Sequence, residues 1–294
     1  MELREAVISF TTYLLENKGY SSNTAKAYEQ DLKKLMEYLG DDIDALSITK
    51  SELQDFVNFI SKYGLAPSTR ERIISSLRSF FSFLAEYHNI EKNPAKLLYM
   101  PKKTKKIPEY LTKEEVEMIL NMPDLSTSIG QRDRAMLELD FASGLRVSEL
   151  VGLNLKDIDF DEDFLRVLGK GNKERIVPFG SMAKKYLFLY IKEGRNQLLR
   201  RKTQALFLNY RGERITRVGF YKILKNYALK AGIKKRVYPH ILRHSFATLM
   251  LQAGCDLRTL QILLGHSSIT TTQVYTHVDI KMLKETYDRA HPRS

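Results

Sequence analysis

Apolar side chains recur every three or four positions through most of the first 100 residues. Across residues 24–39 they fall at Ala27, Leu32, Leu35, Met36 and Leu39, which line one face of a helix. Ser22 or a neighbour stands where that helix needs an N-cap. Thr49 with Glu52, and Ser68 with Glu71, have capping-box spacing and predict helices over residues 53–63 and 72–87. Helices of this kind, four in all, predict a small bundle.

The pattern resumes beyond position 110. Thr112 and Glu115 open another helix, and residues 131–143 predict a long one that Gly144 ends. Over residues 155–179 the helical period is lost. Residues 164–168 and 174–178 read as strands around a Gly-Lys-Gly-Asn turn. With Ile158 and Phe160 they predict a small antiparallel sheet. Helices return over residues 181–202 and 218–230, the second capped by Thr216 and closed by Gly232. Residues 240–253 place Leu242, Phe246, Leu249 and Met250 on one face, and Asp256 caps a helix over 257–264 that Gly265 ends. Ser268 caps a third short helix carrying Tyr275. Asp279 can cap a last helix from 280 to about 290, with Met282, Leu283 and Tyr287 as its apolar stripe. The predicted fold class is mainly α with a small antiparallel β-sheet.

Lys102, Lys103, Lys105 and Lys106, flanked by Pro101 and Pro108, interrupt this periodicity. They predict a basic linker at 101–109 between an N-terminal helical domain, 1–100, and a C-terminal domain, 110–294. The run is either a solvated tether or a phosphate contact. Charge divides along the same line. Residues 1–100 hold 12 Lys and Arg against 14 Asp and Glu, and the remainder holds 35 against 21. The net charge of +12 favours an anionic partner, nucleic acid or a membrane surface, and its excess lies in the C-terminal domain. No stretch approaches the roughly 18 apolar residues of a membrane span, and the N-terminus has no signal-peptide pattern. Cys255 is the only cysteine, which excludes an intrachain disulfide and suits a reducing cytoplasm. It reads as a structural residue.

The candidate chemistry is concentrated near the C-terminus. His240 and Arg243 lie three apart and project from one side of a helical turn; His266 and Tyr275 follow on the next short helices. An imidazole, a guanidinium, a second imidazole and a phenol in one neighbourhood fit work on a phosphodiester. A phosphorane carries about two negative charges on its non-bridging oxygens, and arginine offers them a rigid, permanently charged fork. A phenol can act as a covalent nucleophile once its proton is drawn off, and the departing sugar oxygen needs a general acid. Each residue has a plainer reading alone. Arg146 and Glu149 could be a helical ion pair, and Lys170 a solvated turn-tip lysine. His240 and Arg243 could open a packed helix, and Tyr275 could be packing. The helix over 218–230, with Tyr221, Lys222, Lys225 and Lys230, could enter a major groove or be a solvated face. No His-Glu-x-x-His pair or carboxylate cluster accompanies the histidines, so neither metal nor cofactor is expected. The Gly-Lys-Gly-Asn turn lacks the spacing of a nucleotide-hydrolase phosphate loop.

In combination these segments resemble the tyrosine recombinases. His240-Ile241-Leu242-Arg243, Leu264-Gly265-His266 and Tyr275 are similar to the family's C-terminal signature. Gly144-Leu145-Arg146-Val147-Ser148-Glu149-Leu150 resembles the segment around its first arginine, and residues 169–175 resemble its lysine-bearing hairpin. The likeness spans essentially the whole chain and is nearest the Xer group, down to Tyr287-Asp288-Arg289-Ala290-His291-Pro292-Arg293. It implies an N-terminal four-helix SAM-like bundle that binds DNA and a C-terminal catalytic domain, clamping a duplex between them. It implies Arg146, Lys170, His240, Arg243, His266 and Tyr275 as catalytic residues, with Glu149 in support. It further implies a cyclic tetramer on two DNA sites, with the terminal helix passed to the next subunit. Chromosome-dimer resolution at cell division is the expected role, with the protein acting alone or beside a paralogue or a DNA translocase. Integration of a mobile element, a type IB topoisomerase and a non-catalytic architectural DNA-binding protein are the rivals.

Overall fold

A computed structural model describes residues 1–88, 90–99, 109–169, 174–265 and 277–293, with 277–281 as backbone alone. The chain separates into two compact units, Met1–Lys106 and Ile107–Ser294. The expected linker lies, but for its last residue, outside the described residues.

The first unit is built from α1 (Leu3–Glu16), α2 (Ser22–Leu39), α3 (Lys50–Lys62) and α4 (Pro67–Tyr87). Ser21 accepts from the Thr24 N–H and caps α2. The Thr49–Glu52 capping box forms at α3, with the Glu52 carboxylate accepting from the Thr49 N–H at 2.7 Å. The expected box at Ser68 does not open α4. Pro67 takes the first helical position, where its fixed φ suits the turn, and so places Ser68 inside the helix. Phe10, Leu32, Leu35, Phe56, Ile73, Leu77, Phe80 and Leu84 are fully buried where the four apolar faces meet.

In the second unit Thr112 and Glu115 form the capping box of α5 (Lys113–Leu120). The long helix α6 (Ser128–Ser143) starts three residues before its expected position, because Thr127 caps it. Gly144, at φ 54°, closes it in a left-handed conformation. After α7 (Val147–Gly152) come β1 (Ile158–Asp159), β2 (Phe164–Leu168) and β3 (Glu174–Pro178), an antiparallel sheet in the order β1-β2-β3. Its register pairs Leu165 with Val177 and Val167 with Arg175. Phe160 falls in the turn after β1, so the sheet's first strand is shorter than expected. The 181–202 stretch divides into α8 (Ser181–Leu189), a π-helical turn (Tyr190–Gly194) and α9 (Arg195–Leu198). It continues through α10 (Arg217–Lys230), capped by Thr216, to α11 (Pro239–Gln252) and α12 (Leu257–Leu264).

The last helix, α13 (His277–Ala290), begins ahead of Asp279, which is therefore within the helix and not its cap. It lies on its own unit: Leu283, Tyr287 and Ala290 are buried in that unit's core, while Met282 stays exposed. Lys284 pairs with Asp163 at 2.8 Å, and Arg293 with Glu138 at 2.8 Å. The core gathers α6 with residues from every other helix of the unit and from β2 and β3. Among the described residues no helix is long and apolar enough to cross a membrane.

Candidate active site

Three chain reversals bring distant arginines together. Gly144 turns the chain out of α6, so Arg146 arrives as the N-cap of α7. The turn needs glycine twice over: φ is positive, and a Cβ there would lie 2.5 Å from the Phe246 ring. Pro239 opens α11, which leaves His240 exposed in the first turn and buries Arg243 one turn later. Asp256 caps α12, its carboxylate accepting from the Thr259 N–H at 2.9 Å, and Gly265 ends it at φ 63°.

Arg146 and Arg243 converge on the end of α12. Arg243 donates to the carbonyl of Leu264 at 2.7 Å and to that of Gly144 at 2.6 Å. Arg146 donates to the next carbonyl, Gly265, at 3.1 Å. These carbonyls are the exposed acceptors that a helix leaves at its C-terminus. Arg243 is 7% exposed, whereas the Arg146 side chain keeps 37% of its surface open. Burial, helped by the like charge of Arg146, lowers Arg243 to about 10, so it stays protonated at neutral pH.

Glu149 is what makes this concentration of positive charge tolerable. Its carboxylate accepts from the Arg146 N–H at 2.8 Å and its guanidinium at 3.0 Å. On the other side Arg175, from β3, donates to both oxygens, at 2.9 and 2.8 Å. Burial alone would raise the Glu149 carboxyl, but hydrogen bonds and charge from Arg175 and then Arg146 hold it at about 2. Asp140, on α6, is fully buried with both carboxyl oxygens free of hydrogen bonds; burial pushes it well above the carboxylate range. Three guanidinium groups thus gather around the Glu149 carboxylate, an arrangement rich in positive charge that fits an anion.

Of the sequence-predicted residues, Arg146 and Arg243 are brought together, and His240 stands one turn before Arg243. Lys170, His266 and Tyr275 lie outside the described residues. Arg175 and its fork onto Glu149 went unrecognised in the sequence. The available signal was alternation: in β3 Arg175 shares the inward face with Val177, where a lone arginine requires a buried partner. Cys255 is buried, and burial raises its thiol, consistent with an inert structural residue.

The phage integrase family profile matches residues 109–282, and the phage integrase N-terminal SAM-like domain matches residues 7–88. Tyrosine recombinase XerD of Listeria innocua is 42% identical over 99% of this chain and 100% of its own length. Tyrosine recombinase XerD of Staphylococcus epidermidis is 44% identical over 97% of this chain and 98% of its own. A crystal structure of XerH site-specific recombinase bound to palindromic difH substrate, a post-cleavage complex, aligns with a TM-score of 0.71 at 27% identity. That alignment covers 89% of this chain and 78% of XerH.

Proposed function

The chain belongs to the phage integrase family and is a site-specific tyrosine DNA recombinase of the Xer type; from that premise we propose how its residues act. Tyr275 attacks the phosphorus of one DNA strand, forming a 3′-phosphotyrosyl bond and expelling a 5′-hydroxyl. Arg146 and Arg243 hold the non-bridging oxygens as charge accumulates, and His266 adds a hydrogen bond. Lys170 gives its proton to the departing 5′-oxygen, while His240 takes or relays the proton from Tyr275. A 5′-hydroxyl of a second duplex then attacks the phosphotyrosine in reverse. The bond energy is conserved in the covalent link, so the cycle needs neither ATP nor metal.

The observation that carries this reading is the pairing of Arg146 and Arg243 on consecutive carbonyls, Gly265 and Leu264, immediately before His266. One guanidinium is buried and fixed, and the other is open enough to meet a ligand. By the measure of oxyanion donors, each would contribute about 3–4 kcal/mol to the transition state.

The wider reading follows the family. The N-terminal bundle, residues 1–100, binds duplex DNA with the catalytic domain, 110–294, and the lysines of 101–109 join them. Four subunits close a ring on two DNA sites, each α13 leaving its own unit for the next subunit's. Head-to-tail exchange of this kind is compatible with ring closure. Leu283 and Tyr287, buried here by their own chain, would then be buried by the neighbour. Truncation after Asp279 tests this: one subunit should still bind, while cooperative binding and recombination are lost. The protein acts in the cytoplasm, resolving chromosome dimers for segregation at cell division, with a paralogue or a DNA translocase as a possible partner.

The deciding experiment supplies two copies of the target site on separate duplexes. Recombinant duplexes support the reading. Relaxation of supercoils without exchange would point to topoisomerase chemistry, and binding without either to an architectural protein.

A further inference from the structure

The sheet contributes more to this site than a hairpin turn. Arg175 lies on the inward face of β3, 7% exposed, in register with Val167. Its guanidinium grips both oxygens of Glu149, and its Nε–H points to the carbonyl of Leu263 at 3.4 Å. Leu263 is the residue before the two whose carbonyls receive Arg243 and Arg146. Gly265 lies directly over the arginine: a Cβ there would be 2.9 Å from the Cδ, Nε and Cζ atoms of Arg175. The same side chain thus touches the carboxylate that aims Arg146 and the helix end that anchors both phosphate-binding guanidiniums.

Resting on the assignment of Arg146 and Arg243 to the scissile phosphate, we propose that Arg175 is a positioning residue for DNA cleavage. It fixes Glu149, and through it Arg146, while seating the end of α12 at the height that Arg243 requires. Arg175 acts through these other groups: its three nitrogens donate to both oxygens of Glu149 and to the carbonyl of Leu263.

A lysine at this position keeps the charge but has no planar fork, so it cannot hold two carboxylate oxygens and a carbonyl in one geometry. A merely structural ion pair would tolerate that change. A positioning role makes three demands. Arg175→Lys should cleave a nicked suicide duplex at least tenfold more slowly while binding it within about twofold of the unsubstituted protein. Its cleavage should also become acid-sensitive, because Glu149, facing Arg146, Arg243 and Asp140 without the fork, protonates at higher pH and releases Arg146. Arg175→Met should move the acid limb further in the same direction, and if it fails to fold the lysine variant decides alone.

Single-turnover cleavage between pH 5 and 8, with DNA affinity measured in parallel, reads all three. A slow Arg175→Lys with a shifted acid limb and near-normal affinity is the expected result. Full cleavage rate in Arg175→Lys overturns the inference, and so does slow cleavage with an unmoved pH profile, which would mark a structural role only. Arg146→Ala and Arg243→Ala are run beside them. If those two cleave normally, the assignment of the phosphate ligands has failed and this inference with it; if they are inactive, only the Arg175 result bears on it.

Discussion

The two units bury their surfaces in opposite styles. In the N-terminal bundle the core is aliphatic and aromatic, and its buried charge is Asp31, held by Arg72 and Ser76. In the catalytic unit the central helix α6 buries Arg132, Asp133, Arg134, Glu138 and Asp140 along with its apolar residues. Arg132 pairs with Asp133, which also accepts from the Tyr227 hydroxyl at 3.0 Å, and Glu138 joins Arg134 to Arg293 of the C-terminal tail. Buried pairs give little net stability but penalise any rearrangement that strands one partner. Both units are held by apolar area, and in the catalytic unit the buried charge adds a demand on geometry. A unit that must keep two guanidiniums in register benefits from the second kind of core.

The largest effect should come from Arg243. Arg243→Ala should reduce single-turnover cleavage by about 10²–10³-fold, the loss for an oxyanion donor. It should leave DNA affinity much less affected, as read by electrophoretic mobility shift. Equal losses in affinity and cleavage would assign the arginine to binding alone.

The contrast in cores is tested by a matched pair. Glu138→Gln removes the buried carboxylate that neutralises Arg134, which is left with only the neutral acceptors Leu120 and Asn121, and should cost about 3–5 kcal/mol in denaturant unfolding. Asp31→Asn in the bundle should cost about 1–3 kcal/mol, since Arg72 keeps 39% of its side chain in solvent. Similar costs for the two would erase the distinction drawn here.

A pH scan sharpens it further. His291 is buried beside Tyr287, Phe246 and Phe141, and burial lowers it to about 3. The unfolded chain, with histidine near 6.5, therefore binds a proton that the folded state refuses. The contribution of His291 to stability should fall as pH drops from about 6.5 towards 3, by roughly 1.4 kcal/mol per unit at most, while the raised carboxyl of Asp140 works in the opposite direction. Hydrogen exchange in α6 should show this slope, and His291→Phe should flatten it. Glu149, held at about 2, adds nothing until pH falls below about 4.5. The smallest effect is expected at the bundle's surface. Glu52→Ala breaks the capping box of α3 and should cost about 1 kcal/mol in thermal unfolding, with cleavage unchanged.

The same division explains what the sequence made legible. Helices with one apolar face and a capped end were readable from periodicity: α2, α5, α10 and α12 appear where their patterns and caps placed them, while α3 starts three residues before its expected range, directly after its cap Thr49. The strands over 164–168 and 174–178 followed from their alternation and flanking glycines. Where charge is buried the pattern failed. The start of α6 was misplaced, because Ser128, Gly130 and Gln131 carry no apolar stripe, and Thr127 decides the boundary. Arg146 and Arg243 were legible through motif resemblance, whereas Arg175 was not, since its importance lies in a partner 26 positions away. Periodicity reports burial of apolar surface; it is blind to a salt bridge that closes only in three dimensions.

The central claim, that the paired guanidiniums serve a phosphotyrosine reaction, is tested most directly by trapping the covalent complex. A nicked suicide duplex carrying the target site is incubated with the protein, digested, and mapped by mass spectrometry. The account predicts a nucleotide on the peptide containing Tyr275, and none with Tyr275→Phe although that variant still binds. An adduct on another residue, or one that persists in Tyr275→Phe, would contradict it.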